Sequence, residues 1–404
     1  MAPRLVLFDD ERARQWEPFA LSRPAGELLF GALKLVERVE EALGLECEGY
    51  LTSQHLSGYR EPGARPVLEA KNLPRDRDTL FWCSRAAPER GQRLETPDGP
   101  TVYVMGKRLV AYFAPAGQEP EPGFLANLEL GKAPPGQVSV SGRLLEWVWE
   151  LMLLSPAQLA DDLAASDGSR PKMPEGVYVL GENSLGVAPD VRIEPGTVFD
   201  VSAGPIRLDD GVYVRSGTRL AGPALIGPHS RLLGGSFEAL VAGPYSYLRG
   251  EVSHTVFLGY SNKVHDGYLG HAYVGRWVNL GALTTNSDLK NNYHSVRVWT
   301  PRGVRDTGEL KIGCFLGDHA KTGIGTLLST GTVVGAGANV YGSEMPPTYV
   351  PPFSWGGGEG AELGEYRLDA FIESAELAMG RRGMEPESQV RRYLESCWRK
   401  GRGG

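Results

Sequence analysis

The residues in this chain best placed to do chemistry lie between Arg249 and Asn292. Arg249, Lys263, His265, Asp266 and Tyr268 crowd a stretch in which the rhythm of the surrounding sequence fails. His265 stands three residues before Tyr268 and sixteen after Arg249. An imidazole with an unperturbed pKa near ~6.5 takes and returns protons at neutral pH. A guanidinium presents a planar fork to an anion. The stretch Asn279 to Asn292 is too polar for an ordinary wall strand and is expected to loop out. A second group opens the chain: Asp9 and Asp10 directly follow the apolar run Leu5 to Phe8. That run reads as a buried strand, and open α/β sheets bind ligands beyond the carboxyl ends of their strands.

The rhythm that fails has a period of six. Leu208, Val214, Leu220, Ile226 and Leu232 form one run; Leu316, Thr322, Leu328, Val334 and Val340 form another, with Thr322 its polar member. Helices repeat near 3.6 and half-buried strands at two. Period six is the hexapeptide repeat of a parallel β-helix, whose three-sided coils bury a core only by stacking. The frequent glycine after the apolar position suggests the left-handed variety. A spacer without chemistry is the alternative, but spacers do not need polar insertions.

Before the repeats, Thr79 to Cys83 reads as another buried strand, and Val102 to Phe113 as a hairpin turning at Gly106-Lys107. Leu28, Leu29, Leu33, Val36 and Val39 have helical spacing, with Lys34 and Arg38 on another face. Leu144 to Leu154 is a short helix or an apolar linker. These elements predict a strand-and-helix domain over 1–165, a β-helix over 166–345, and an extended cap with two amphipathic helices over 346–404. A length of 404 residues fits two or three domains. A net charge of −7 without a long basic run argues against a nucleic-acid surface. Cys47, Cys83, Cys314 and Cys397 form no CxxC pair, so neither a zinc knuckle nor a disulfide framework is expected. Free thiols, no signal peptide and no apolar window of ~18 residues predict a cytoplasmic protein off the membrane.

The opening of the chain resembles that of sugar nucleotidyltransferases in outline: a strand, an acidic loop, an arginine, then Arg23-Pro24. The resemblance implies Asp9 as a Mg²⁺ ligand and Arg12, Arg23 and Lys34 as nucleotide-phosphate ligands. Two departures stand out. The loop Phe8 to Arg14 contains no glycine, and no carboxylate stands near Trp82 to Arg85, where a second metal ligand is expected. The repeats resemble the acetyltransferase half of the GlmU family, the bifunctional N-acetylglucosamine-1-phosphate uridyltransferase/glucosamine-1-phosphate acetyltransferases. The matching segments are Gly243-Pro244-Tyr245…Leu248-Arg249, Ser261 to Gly270, and Asn279-Leu280-Gly281-Ala282. The chain looks closest to a divergent GlmU-like branch described as sugar nucleotidyltransferases.

That resemblance implies His265 as the catalytic base and Arg249 as the phosphate-binding arginine. It implies Tyr268, Asn279, Lys263, Asn286 and Lys290 as substrate contacts. Ala282, Asp318 and Gly335 would line the acetyl-CoA site, although a carboxylate at 318 sits oddly beside a thioester. His254, His271 and His319 read as exposed polar residues on coil faces. The implied activity is sugar-1-phosphate nucleotidyl transfer, acetyl-CoA-dependent N-acetylation of an amino-sugar phosphate, or both, in a homotrimer completed across subunits by the loop Thr284 to Asn292. The other reading is a degenerate protein that binds a sugar nucleotide or scaffolds a partner.

Overall fold

The computed structural model describes residues 2–403 except 93, 95, 96, 119–122, 128–135, 165–170, 358–362 and 386. The N-terminal domain is a six-stranded mixed sheet. Arg4–Phe8 lies between the parallel strands Cys47–Leu51 and Thr79–Cys83, and Arg108–Ala114, Thr101–Met105 and Gly136–Ser139 follow in space. Every residue of Arg4–Phe8 is buried, as an uninterrupted apolar strand flanked on both sides requires. The expected helix starts later than its spacing suggests. Leu29–Phe30 and Leu33–Lys34 pair as a tight hairpin through Gly31, at φ +66°, and the helix occupies Leu35–Leu43. Arg38 turns inward onto Asp162 of the helix Ser155–Ala164, with two contacts of 2.8 and 2.6 Å. The apolar stretch after Leu144 becomes the short helix Glu150–Leu153.

The rest of the chain is a parallel β-solenoid. From Tyr178–Leu180 to Ser354–Trp355 the strands stack coil on coil, so that Ile206 faces Ala224 and Cys314 faces Thr332. Both six-residue runs point inward: Leu208, Val214, Leu220, Ile226 and Leu232 are buried, and so are Leu316, Thr322, Leu328, Val334 and Val340. The stacking continues past residue 345, through Tyr349–Val350 and Ser354–Trp355. The expected boundary at 165/166 lies outside the described residues.

Each coil has three walls. Wall A carries Arg231, Tyr247, Asn262, Asn279 and Lys321 outward, in register. Wall B carries Ser236, Glu251 and Tyr268 in one outer column and Glu238, Ser253 and Gly270 in the next. Wall C carries Leu225, Val241, Val256, Tyr273, Phe315 and Val333, an apolar stripe. That stripe is covered: Leu145, Val148, Trp149, Leu151 and Leu159 of the N-terminal domain pack onto it.

The polar segment does not loop out where its composition suggests. Asn279–Leu280 is a strand of wall A, and Thr285–Asn286 pairs with Leu327–Leu328. Asn286 is 2% exposed because its amide behaves as backbone: Nδ2 donates to Gly270 O at 2.9 Å and Oδ1 accepts from Gly270 N at 2.8 Å. The chain leaves the coil only after Asn286. It makes the hairpin Arg297–Val298 with Arg305–Asp306 and rejoins wall C at Cys314–Leu316. Asn291 to His294 are exposed, whereas the later part of the insertion folds back. Val296, Val298 and Ile312 bury themselves against wall C, and Trp299 stacks on Tyr349 at 3.6 Å. The tail helices Leu368–Gly380 and Ser388–Gly401 do not plug the end of the prism. They pack between Leu21, Leu56 and Tyr59 of the N-terminal domain and Trp277 and Phe353 of the solenoid. The end of the core is met instead by Leu363.

Candidate functional site

At the start of the chain, folding engages the three cations nominated to hold a nucleotide, Arg12, Arg23 and Lys34. Arg23 is 1% exposed. Its Nε and Nη2 bond Asp318 Oδ2 at 2.9 and 2.7 Å, and its other contacts reach Glu61 at 3.1 and 3.0 Å. One expected phosphate ligand and one expected acetyl-CoA residue are therefore partners in a single buried junction between the two domains. Asp318 also accepts from Ser22 Oγ at 2.6 Å and from Arg276 N at 2.7 Å. Arg276 Nη1 lies 2.6 Å from Glu61 Oε2, in ion-pair contact but off the line of a hydrogen bond. Both arginines hold the Glu61 carboxyl down, to a pKa of about 2, against the upward push of burial. Lys34 caps the helix Leu35–Leu43 and meets the buried Glu27 at 2.7 Å, with Tyr50 on the carboxylate's other oxygen. Arg12 stacks over Trp147 at 4.4 Å.

Asp9 is 4% exposed. One of its oxygens accepts from Thr52 Oγ1 at 2.5 Å and Ala25 N at 3.2 Å; the other is sealed without a partner. Burial pushes its carboxyl above the usual range. Asp10 is gripped by Arg85 at 2.9 and 2.6 Å, in the region where a second metal ligand was expected. Mg²⁺ takes several oxygens in octahedral array and keeps waters. A lone sealed carboxylate beside an arginine does not fit it, and among the described residues no cluster of three candidate ligands occurs.

The solenoid is different. Arg249 and His265 lie on the corner joining walls A and B. Arg249 meets Asp266 at 3.1 Å and keeps a partly exposed guanidinium; His265 is exposed. Lys263 points the other way. It stacks in register on Leu248, an inward residue, and is 2% exposed. Its ammonium gives its three hydrogens to the carbonyls of Arg249, His265 and Gly267 at 3.0, 3.1 and 2.7 Å. Burial lowers its pKa to about 8. Lys263 therefore ties down the corner that carries Arg249 and His265, from inside the prism.

Tyr268 crosses wall B. A Cβ at Gly270 would collide with its hydroxyl, so the bare glycine lets the ring lie flat. The hydroxyl reaches Asp288 Oδ2 at 2.8 Å. The same oxygen meets His271 Nδ1 at 2.7 Å. His271 stacks on His254, ring centroids 4.7 Å apart and 6° from parallel, and His254 Nδ1 meets Ser253 Oγ at 2.8 Å. This cluster sits on the corner joining walls B and C, one coil below the point where the insertion departs and supplies Asp288. Burial, then the neighbouring His271, pushes the His254 imidazole below its usual pKa. The hydrogen bond from His271 holds the Asp288 carboxyl down, against burial. Sequence reasoning placed His254 and His271 among bland surface residues. The available signal was their spacing of seventeen, one coil, which stacks them.

Of the remaining expected site residues, Asn279 is exposed on wall A near Asn262. Ala282 is partly exposed. Lys290 bonds Ser295 O at 2.6 Å within the insertion. Gly335 is buried under the Pro351-Pro352 turn. His319 is buried beside Trp277 in a cavity of about 250 Å³ under the tail helices.

Residues 5–170 match the sugar nucleotidyl transferase family. A bifunctional sugar-1-phosphate nucleotidylyltransferase/acetyltransferase of Sulfurisphaera tokodaii is 30% identical over 164 residues, 40% of this chain and 39% of that one. The bifunctional protein GlmU of Nitrosospira multiformis is 26% identical over 196 residues, 43% of this chain and 38% of its own length. Over about two fifths of its length the chain is similar to these bifunctional proteins, and it spans about two fifths of theirs. An Arabidopsis UDP-N-acetylglucosamine acyltransferase structure aligns over 52% of this chain and 77% of its own, at 13% identity and a TM-score of 0.26. The solenoid stands on its own strand register. Among the described residues no helix is long and apolar enough to cross a membrane.

Proposed function

We propose that this chain is a GlmU-like transferase of sugar-nucleotide biosynthesis whose chemistry is carried by the solenoid, as acetyl-CoA-dependent N-acetylation of an amino-sugar phosphate. One observation carries the reading. Wall B is bounded on one edge by the partly exposed Arg249 and on the other by two stacked imidazoles, while the charges of the N-terminal domain are paired inward. Arg249 suits the phosphate, and Tyr268 offers its ring to the sugar. The resemblance to GlmU points to a histidine of this segment as the base. The Sulfurisphaera tokodaii relative, whose name couples nucleotidyl and acetyl transfer, supports the same class. We assign the N-terminal domain the task of holding the solenoid, with sugar-1-phosphate nucleotidyl transfer as the activity to be tested against it.

The assembly proposed is a homotrimer. Leu283, Ile324, Leu327 and Tyr341 are exposed near Ala282, a set of apolar side chains suited to contact with another copy. Light scattering giving a monomer at micromolar concentration would count against it. Activity is tested by release of free CoA thiol from acetyl-CoA with a panel of amino-sugar phosphates. A parallel assay offers UTP or dTTP with sugar 1-phosphates, with and without Mg²⁺. Acetyl transfer without nucleotidyl transfer is the expected result. Neither activity would favour a sugar-nucleotide-binding scaffold.

A further inference from the structure

Two imidazole systems flank wall B, and they are not equivalent. His265 is exposed, and among the described residues no side chain is hydrogen-bonded to its ring. His271 is 8% exposed and its Nδ1 is fixed on Asp288 at 2.7 Å, so its Nε2 is aimed. That Nε2 carries no hydrogen bond and is not sealed from solvent, and the same holds for Nε2 of His254. An imidazole whose far nitrogen is held by a carboxylate is fixed in tautomer and direction, and the imidazolium it becomes is compensated. Asp288 is itself steadied by the Tyr268 hydroxyl.

We propose, resting on the acyl-transfer reading above, that His271 is the catalytic base and that Asp288, delivered by the insertion, is its positioning residue. The amine nitrogen attacks the thioester carbon while His271 Nε2 takes the N–H proton. The new C–N bond forms, the C–S bond breaks, and the proton passes from His271 to the departing thiolate. His254, kept neutral against the ring, adds no competing positive charge beside the developing imidazolium. His265 then serves the substrate end next to Arg249. Both His254 and His271 adopt positive φ, 47° and 45°, which only Gly, Asn and Asp tolerate readily. His271→Asn is therefore the variant that removes the base and keeps the corner.

The experiment compares kcat and KM for acetyl transfer in wild type, His271→Asn, Asp288→Asn and His265→Ala. Loss of a general base lowers rate by ~10²–10⁴. His271→Asn should lose kcat on that scale with KM little changed, and His265→Ala should lose far less. Asp288→Asn should lower kcat and move the acid limb of the pH–rate profile to lower pH, since the imidazolium loses its counter-charge. His271 itself meets Asp288 and His254, and around that cluster stand Tyr268, Glu238 and Lys311. Retention of kcat by His271→Asn, with loss in His265→Ala, overturns the assignment. Wild type inert toward every amino-sugar phosphate overturns the acyl-transfer reading itself. Imidazole nitrogen NMR then decides the pair separately: a His271 titration identical in wild type and Asp288→Asn rejects the dyad, and a displaced one supports it.

Discussion

The N-terminal domain and wall B of the solenoid hold similar numbers of candidate groups and use them in opposite ways. Around Asp9 the nominated phosphate ligands and Arg85 are closed on carboxylates or an aromatic face, Arg23 on Asp318 and Glu61, Lys34 on Glu27, Arg85 on Asp10 and Arg12 over Trp147, while the exposed Arg14 bonds the Asp9 carbonyl. Around Tyr268 the partners orient the groups and leave their reactive atoms open, as with Nε2 of His271. The lesson is that a charge is functional by what folding leaves unengaged. The same residue types serve as mortar in one region and as tools in the other.

The sharpest way to break this contrast is at the junction. If Asp318 is mortar, Asp318→Ala leaves Arg23 to Glu61 and takes the buried acceptor from Ser22 Oγ and Arg276 N; breaking a buried pair costs up to about 3–5 kcal/mol. The expected outcome is a large drop in urea midpoint, with any surviving folded protein keeping its KM for acetyl-CoA. A raised KM at unchanged stability would return Asp318 to the acetyl-CoA site.

Lys263→Met comes next. It orphans three carbonyls, and an unsatisfied buried polar group costs roughly 1–3 kcal/mol. It also removes a titration. The folded-state pKa of Lys263 lies at about 8, below the ordinary 10.5. Its contribution to stability is thus full above about 10.5 and is lost as pH falls through about 8. Wild type should lose that stability between those values and Lys263→Met should not; thermal melts across the range decide it.

Arg249→Ala should act on binding. Phosphate recognition is shared by ground and transition states, so KM for the phosphorylated sugar should rise about tenfold, about 1.4 kcal/mol, with kcat held. Equal loss of kcat would place Arg249 in the reacting geometry. The smallest effect is expected at Arg12→Ala, within about 0.5 kcal/mol in stability and silent in acetyl transfer. A measurable nucleotidyl transfer abolished by that change would reopen the N-terminal site.

The walls were legible because their physics is local: an inward side chain every six residues writes the prism into the sequence. The corners were less so. Tyr245, Tyr260, Trp277 and His319 stack along one corner at positive φ, where small residues were expected. Lys263 was read as a substrate contact, and three carbonyls aimed into the prism hold it inside instead. Arg23 and Asp318 are 295 residues apart, and nothing in either segment announces the other. Asp288 was hidden for a related reason, since its partners depend on where a long insertion turns back. The motif around His265 was plain on the page, whereas the ring held by a carboxylate emerges only when successive coils are stacked.

The covered apolar stripe on wall C has a consequence for dissecting the molecule. The side chains that seal it, Leu145, Val148, Trp149 and Leu151, lie in a part of the chain synthesised before the stripe exists. On the ribosome that segment must wait, its own apolar surface bare, until the repeats have emerged. A solenoid expressed without the first domain would show Leu225, Val241, Val256 and Phe315 to water as a continuous band and would self-associate through it. The two halves, for all their different architectures, share one buried apolar seam.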